Sequence, residues 1–231
     1  MLQILPSRIG GAAENMALDF LLLQRYPEPE VARFRHYGWR IPAITFGYSQ
    51  RWEEVRMQAP VDRELCRRPT GGGIVDHADD WTYSLVVPRR HRLWKEPATL
   101  VYYLIHRLLC DILLLEGQDV EMQQEEEPGK ADGPAVCFKR PEPHDIIVRS
   151  TGVKVAGAAL KRTKNGLLVQ GSLARAPLAG LDWTRFEAAL HSGLADTLSL
   201  EAEECPWPEF EPDQEMHLID QFSDPDWNQR R

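Results

Sequence analysis

Val101, Leu104, Ile105, Leu108, Leu109, Ile112 and Leu113 recur at the i, i+3, i+4, i+7, i+8 spacing of a single helix face. Pro97 stands just ahead of them, where a first turn tolerates a missing N–H. The spacing predicts a core-facing helix of about five turns. Ala13, Met16, Ala17, Phe20 and Leu21 repeat the pattern before Pro27, which predicts a second, amphipathic helix. A shorter third is expected after Asp182, a plausible N-cap, with Trp183, Phe186, Ala189 and Leu190 turned inward.

Runs of strand character lie between the helices at 31–36, 43–47, 82–87, 145–149, 153–159 and 167–173. Thr163-Lys164-Asn165-Gly166 joins the last two, and Asn-Gly takes positive φ at low cost, so a hairpin is expected there. The elements mix without regular strand–helix alternation. The predicted class is therefore α+β (mixed α/β), a central mixed sheet flanked by helices with much antiparallel pairing. Residues 123–134 (QQEEEPGKADGP) are acidic, hold Gly and Pro, show no periodicity and read as a mobile loop. The segment from Glu201, rich in Pro, acid and Trp, either wraps the body or frays.

With 231 residues, 43% of them apolar or aromatic, the chain can bury one sizeable core, and one domain over 1–231 is expected. Twenty-seven basic against 35 acidic side chains give a formal charge of −8, which removes the usual footprint of a nucleic-acid binder. No stretch approaches the roughly 18 uninterrupted apolar residues of a membrane span, and the start is too short in apolar run for a signal peptide. A cytoplasmic protein without nucleic-acid or membrane partners is expected. Cys66, Cys110, Cys137 and Cys205 form no C-x-x-C pair, so neither a metal site nor a disulfide framework is suggested.

The most unusual local sequence is Arg67-Arg68-Pro69-Thr70-Gly71-Gly72-Gly73-Ile74-Val75-Asp76-His77. Three glycines in a row cost conformational entropy, so either a ligand approaches bare peptide N–H groups beside the two arginines, or the run is a flexible turn with solvated arginines. It is neither a P-loop nor a dinucleotide fingerprint. Lys154, in Gly152-Val153-Lys154-Val155-Ala156-Gly157-Ala158-Ala159, either points to solvent by strand alternation or lines a thin-walled pocket for which Gly157 and Ala159 leave room. Cys137 lies 17 positions before it. A lone cysteine is more often an inert buried residue than a nucleophile, but a nearby ammonium would raise its thiolate fraction.

Taken together, Asn15-Met16-Ala17-Leu18-Asp19, residues 42–50 (PAITFGYSQ), 67–77 (RRPTGGGIVDH) and 154–173 (KVAGAALKRTKNGLLVQGSL) resemble the lipoate-protein ligase and octanoyltransferase family, relatives of the biotin-protein ligases. The likeness covers a core of about 13–192 and leaves 193–231 as a C-terminal tail, without the accessory C-terminal domain of many ligases. It implies transfer of an octanoyl or lipoyl group to one lysine of a lipoyl carrier domain, in 2-oxoacid dehydrogenase E2 subunits or the glycine cleavage H protein. By the same motifs Arg68, Gly71, Gly72, Gly73, His77, Gly157 and Ala159 would line the acyl or acyl-adenylate channel, and Lys154 would meet the activated carbonyl, where a cation stabilises developing charge. Ala78 stands where an acid commonly follows the histidine, and Val169-Gln170 where a histidine is common.

Two chemistries compete within the resemblance. A ligase activates free lipoate with ATP and Mg²⁺; a transferase takes a ready thioester, for instance from acyl carrier protein, and needs no cofactor. Cys137-Phe138, followed by His144-Asp145-Ile146, resembles the nucleophile loop of the transferases, which makes Cys137 and Lys154 the catalytic candidates of the favoured reading. A binder of acyl groups or carrier domains whose site has decayed is the alternative of another class.

Overall fold

The computed structural model describes residues 1–124 and 142–230. In chain order its elements are β1 (Leu2–Gly10), α1 (Ala12–Gln24), β2 (Ala32–Trp39), β3 (Ala43–Phe46), α2 (Trp52–Gln58), β4 (Glu64–Arg67), β5 (Ile74–Asp76), β6 (Asp80–Pro88) and α3 (Ala98–Leu115). Then come β7 (Val120–Met122), β8 (Ile146–Val148), β9 (Lys154–Arg162), β10 (Gly166–Ala174), α4 (Trp183–Leu198), β11 (Ala202–Glu204), α5 (Pro212–Ser223) and α6 (Pro225–Asn228). Among the described residues, eight strands form one sheet in the order β11-β1-β2-β6-β10-β9-β8-β7, and β4-β3-β5 form a second. β1 runs parallel to β2 and β11; β2, β6, β10, β9, β8 and β7 pair antiparallel. The predicted α+β class and central mixed sheet are present.

Alternation gives the large sheet two unlike faces. Phe34, Leu85, Val169 and Leu160 occupy one cross-strand rung, on the face that packs with α3 and α4 to form the main apolar core. One residue along each strand, the opposite face carries Arg35, Ser84, Gln170 and Ala159, and its next rung carries Tyr37, Thr82, Ser172 and Gly157. That face is polar and still buried, so it must satisfy its own donors and acceptors. Asp19 of α1 does much of this, accepting from Arg35 Nε (2.7 Å), Ser84 Oγ (2.5 Å), Gln170 Nε2 (2.7 Å) and Tyr37 (3.1 Å).

The long predicted helix is α3, preceded by Pro97, and Asp182 caps α4 by accepting from the N–H groups of Thr184 and Arg185. By length and composition α3 would suffice to cross a membrane. Its inner row, Val101, Ile105, Leu109, Ile112 and Leu113, is instead packed in the core.

Three expectations need correction. First, α1 is buried almost all round rather than amphipathic: α5 covers the side away from the sheet, with Phe222 edge-on to Phe20 at 5.9 Å. The C-terminal segment thus wraps the body, adding β11 beside β1 and sealing α1. Second, the hairpin between β9 and β10 forms, but neither Asn165 nor Gly166 has positive φ. The turn closes through Thr163, whose Oγ1 accepts from the Asn165 N–H (3.1 Å) and whose own N–H donates to Gly166 O (2.8 Å). Gly166 is there for space, because a Cβ would come within 2.7 Å of Val87 O. Third, strands β1, β4, β5, β7 and β11 and helices α2, α5 and α6 were not anticipated; most are short and show no clear period. The predicted loop at 123–134 falls, from residue 125 onward, outside the described residues.

Candidate functional site

A cavity of about 440 Å³, part of it open to solvent, lies between the polar face of the large sheet, α1 and the small sheet. α1 contributes Met16, β2 Tyr37 and β6 Thr82; the small sheet and its flanks contribute Thr45, Arg68, Val75 and His77. β9 adds Lys154 and Gly157 to Ala159, and β10 adds Gln170 to Ser172. Five sequence candidates, Arg68, His77, Lys154, Gly157 and Ala159, are therefore brought to one wall system from positions up to 91 residues apart.

The wall is mainly apolar although many of its residues are polar. Their polar atoms are turned on one another. Arg68 Nη1 donates to Thr45 Oγ1 (3.2 Å), and Thr45 Oγ1 lies 2.8 Å from His77 Nε2. His77 Nδ1 lies 2.7 Å from Asp80 Oδ2, which also accepts from Ser172 and Thr82. With Nδ1–H donating to the carboxylate, Nε2 is left to accept the threonine proton. Burial alone would raise the Asp80 carboxyl, but its interaction with His77 and the hydrogen bonds from Ser172 and Thr82 prevail and hold it below the usual carboxylate range. The acid that does not follow His77 at Ala78 is thus supplied by the first residue of β6. Trp39 stacks on the His77 ring, 4.0 Å between centroids.

Gly71, Gly72 and Gly73 are not among the cavity's lining residues. The Gly71 and Gly73 carbonyls accept from the Arg68 guanidinium at 2.7 and 2.8 Å. Gly72 has φ of 80°, which glycine takes without steric cost, and the close approach falls on Gly47, where a Cβ would lie 1.9 Å from Gly72 O, whereas a Cβ on Gly71 would meet nothing within 4 Å among the described residues. The two arginines have different tasks. Arg67 is fully buried and donates to the carbonyls of Tyr48, Gln50, Trp227 and Asn228, so it binds the C-terminal segment to the small sheet.

Lys154 does not point to solvent. Its side chain is 4% exposed and its Nζ lies 2.6 Å from Asp145 Oδ2, whose side chain is fully buried. Strict alternation from Leu160 and Ala156 would put Lys154 on the apolar α3/α4 face; the register irregularity where β9 meets β8 lies between Ala156 and Lys154, and Lys154 lines the cavity with Gly157 and Ala159. Cys137 lies outside the described residues. Cys66 packs against Phe222, its thiol pushed up by burial, and is no nucleophile.

Asp145, Asp80, Thr45, Ser172 and Tyr102 were missed as site components. One signal was available: Asn15 and Asp19 are polar residues one turn apart on a helix of apolar character, and a buried polar pair demands partners.

A family model described as the lipoyl protein ligase A/B catalytic domain matches residues 11–193. The chain is 36% identical over 170 residues to an octanoyltransferase LipM from Anoxybacillus flavithermus, covering 70% of this chain and 60% of the relative. It is 33% identical over 179 residues to the LipM of Kyrpidia tusciae, covering 74% and 65%. The chain thus spans roughly three fifths of the length of these curated relatives. Among solved structures, a lipoate-protein ligase A bound with ATP superposes with TM-score 0.75 at 19% identity, over 98% of this chain and 97% of that one. A bipartite lipoate protein ligase from Thermoplasma acidophilum superposes with TM-score 0.72 at 19% identity, over 98% and 95%. At that identity the superpositions speak for the fold, whereas the family model spans most of the sequence, and on that ground the chain belongs to the lipoyl protein ligase A/B catalytic domain family.

Proposed function

We propose that this protein transfers an octanoyl group from a thioester to the ε-amine of one lysine on a lipoyl carrier domain, through an acyl-enzyme on Cys137. The observation that carries the reading is Lys154, a lysine enclosed in the wall of a mainly apolar cavity beside a fixed carboxylate. LipM-named relatives favour transfer over adenylation.

The Cys137 thiolate attacks the thioester carbonyl. A carbon–sulfur bond to the enzyme forms, the bond to the donor sulfur breaks, and the donor leaves as a thiol after taking a proton. The neutral amine of the acceptor lysine then attacks the acyl-enzyme, its nitrogen gives up a proton, an amide forms and the Cys137 sulfur is released. Both steps pass through an oxyanion, and the buried Lys154 ammonium at the cavity wall offsets that charge. The scheme uses no ATP and suits a cytoplasmic setting. Acyl carrier protein is a suitable donor, and E2 lipoyl domains and glycine cleavage H protein are suitable acceptors.

Incubation with an octanoyl thioester followed by intact mass measurement should give one octanoyl adduct, mapped to Cys137, which a lipoyl domain discharges. Cys137→Ala should lose adduct and transfer while keeping its thermal unfolding temperature. Wild-type transfer by that variant, or loading that requires lipoate and ATP, would overturn the proposal in favour of direct or adenylate chemistry.

A further inference from the structure

Asp145 is one of the most constrained side chains in the molecule. Its Oδ2 takes the Lys154 ammonium at 2.6 Å and the Glu142 N–H at 2.6 Å; its Oδ1 accepts from the Tyr102 hydroxyl. Its backbone is held as well, the N–H donating to Glu142 O (3.0 Å) and the carbonyl accepting from the Gln123 N–H (2.8 Å). The preceding residue, His144, sits in the left-handed region at φ 72°, a conformation retained by a non-glycine residue only where its surroundings enforce it. Tyr102 comes from α3, whose task is otherwise to fill the core. Its hydroxyl reaches two places at once, donating to Asp145 and accepting from the Ala158 N–H at 3.3 Å on the cavity wall. The His106 ring, one turn along α3, packs edge-on to Tyr102 with 3.9 Å between centroids and fixes the phenol's direction.

A long lysine side chain loses much rotamer freedom when fixed in one position, so an ammonium is held at a point only if its partner is itself immobile. Here the partner's carboxylate is clamped from both oxygens. The berth is shaped too, since a Cβ on Gly157 would fall 2.7 Å from Lys154 Nζ. We propose that Tyr102 and Asp145 are positioning residues: the tyrosine hydroxyl locks the carboxylate, and the carboxylate holds the Lys154 ammonium at the cavity wall, referenced to β9 through Ala158. The catalytic consequence rests on the transfer reading above; the placement of the ammonium does not. Burial and the Asp145 charge keep the phenol protonated far above its usual range, so it stays a donor.

The test measures placement and turnover separately in Tyr102→Phe and Asp145→Asn. Placement is read from the ¹⁵Nζ signal of Lys154, which in the wild type should be a resolved, slowly exchanging ammonium resonance. Turnover is read as kcat and KM for octanoyl thioester and a lipoyl domain. Both variants should lose the resonance and lower kcat about tenfold or more, with KM within about twofold, as expected when a charge is misplaced rather than a binding surface lost. An unchanged resonance in Tyr102→Phe, or a lost one with kcat intact, overturns the proposal. Should Tyr102→Phe fail to fold, an Asp145→Asn protein that keeps both the resonance and kcat overturns it equally. Loss of the resonance in variants of a wild type that transfers nothing leaves the positioning intact and refutes the transfer reading instead.

Discussion

Asn228 and Arg67, 161 residues apart, are joined at three points: the Asn228 side-chain oxygen accepts the Arg67 N–H at 2.7 Å, and its carbonyl accepts from Arg67 Nη2 at 2.8 Å and Nε at 3.2 Å. The next residue, Arg68, is the cavity arginine, so the C-terminal segment buttresses the strand that delivers it. Asn228→Ala removes the acceptor for the Arg67 N–H and the donor to Phe222 O. Stability should fall by about 2 kcal/mol, the scale of a buried backbone group left unpaired. A urea-unfolding midpoint identical to wild type would show that this join does not hold the tail.

Asp19 and Arg35 form an ion pair with neither side chain exposed. Asp19→Asn strands a guanidinium in the interior and should cost roughly 3–5 kcal/mol, enough to threaten folding at ambient temperature. Combined with Arg35→Met it should cost less than the sum of the two single changes, and a double-mutant cycle by chemical denaturation measures the difference.

The β9–β10 turn separates two roles for glycine. Asn165→Ala should change stability by less than about 0.5 kcal/mol, because no positive φ is at stake. Gly166→Ala should cost about 1–3 kcal/mol, because its methyl meets Val87 O across the sheet. Equal losses in the two variants, read from thermal or urea unfolding, would contradict this account of the turn.

His106 is fully buried, and among the described residues neither ring nitrogen has a hydrogen-bond partner. Burial, helped by the Lys154 and His144 charges, pushes its pKa down to about 3. An unfolded histidine takes up a proton below about pH 6.5, and the folded one does not until near 3, so the native state loses stability as pH falls through that window. The slope from this residue is roughly 1.4 kcal/mol per pH unit. His36 and His191, both also lowered by burial, add to the same limb. His106→Leu should flatten it measurably between pH 6 and 5, in unfolding free energies taken at each pH; an unchanged slope would mean that His106 binds its proton in the fold.

Periodicity in the sequence was enough to place α1, α3 and α4 and the strands that became β2, β3, β6, β8, β9 and β10, because each carries its own repeat of apolar residues. The motif blocks also marked Arg68, His77, Lys154, Gly157 and Ala159 as companions, which the cavity gathers. What the chain alone left open were the directions of side chains and the partners of charges. That Lys154 lines the cavity and meets Asp145 follows from how β8 and β9 pair, with a register irregularity between Ala156 and Lys154. The triglycine run turns its Gly71 and Gly73 carbonyls on Arg68, a partnership that the spacing of the residues does not reveal. Asp80 with His77 and Asp145 with Lys154 are pairs of buried polar groups, and burial, which makes such a pair necessary, arises only when strands and helices distant along the chain close over them. Local pattern chose the elements; the shared polar face beneath α1 and the small sheet decided what they could do.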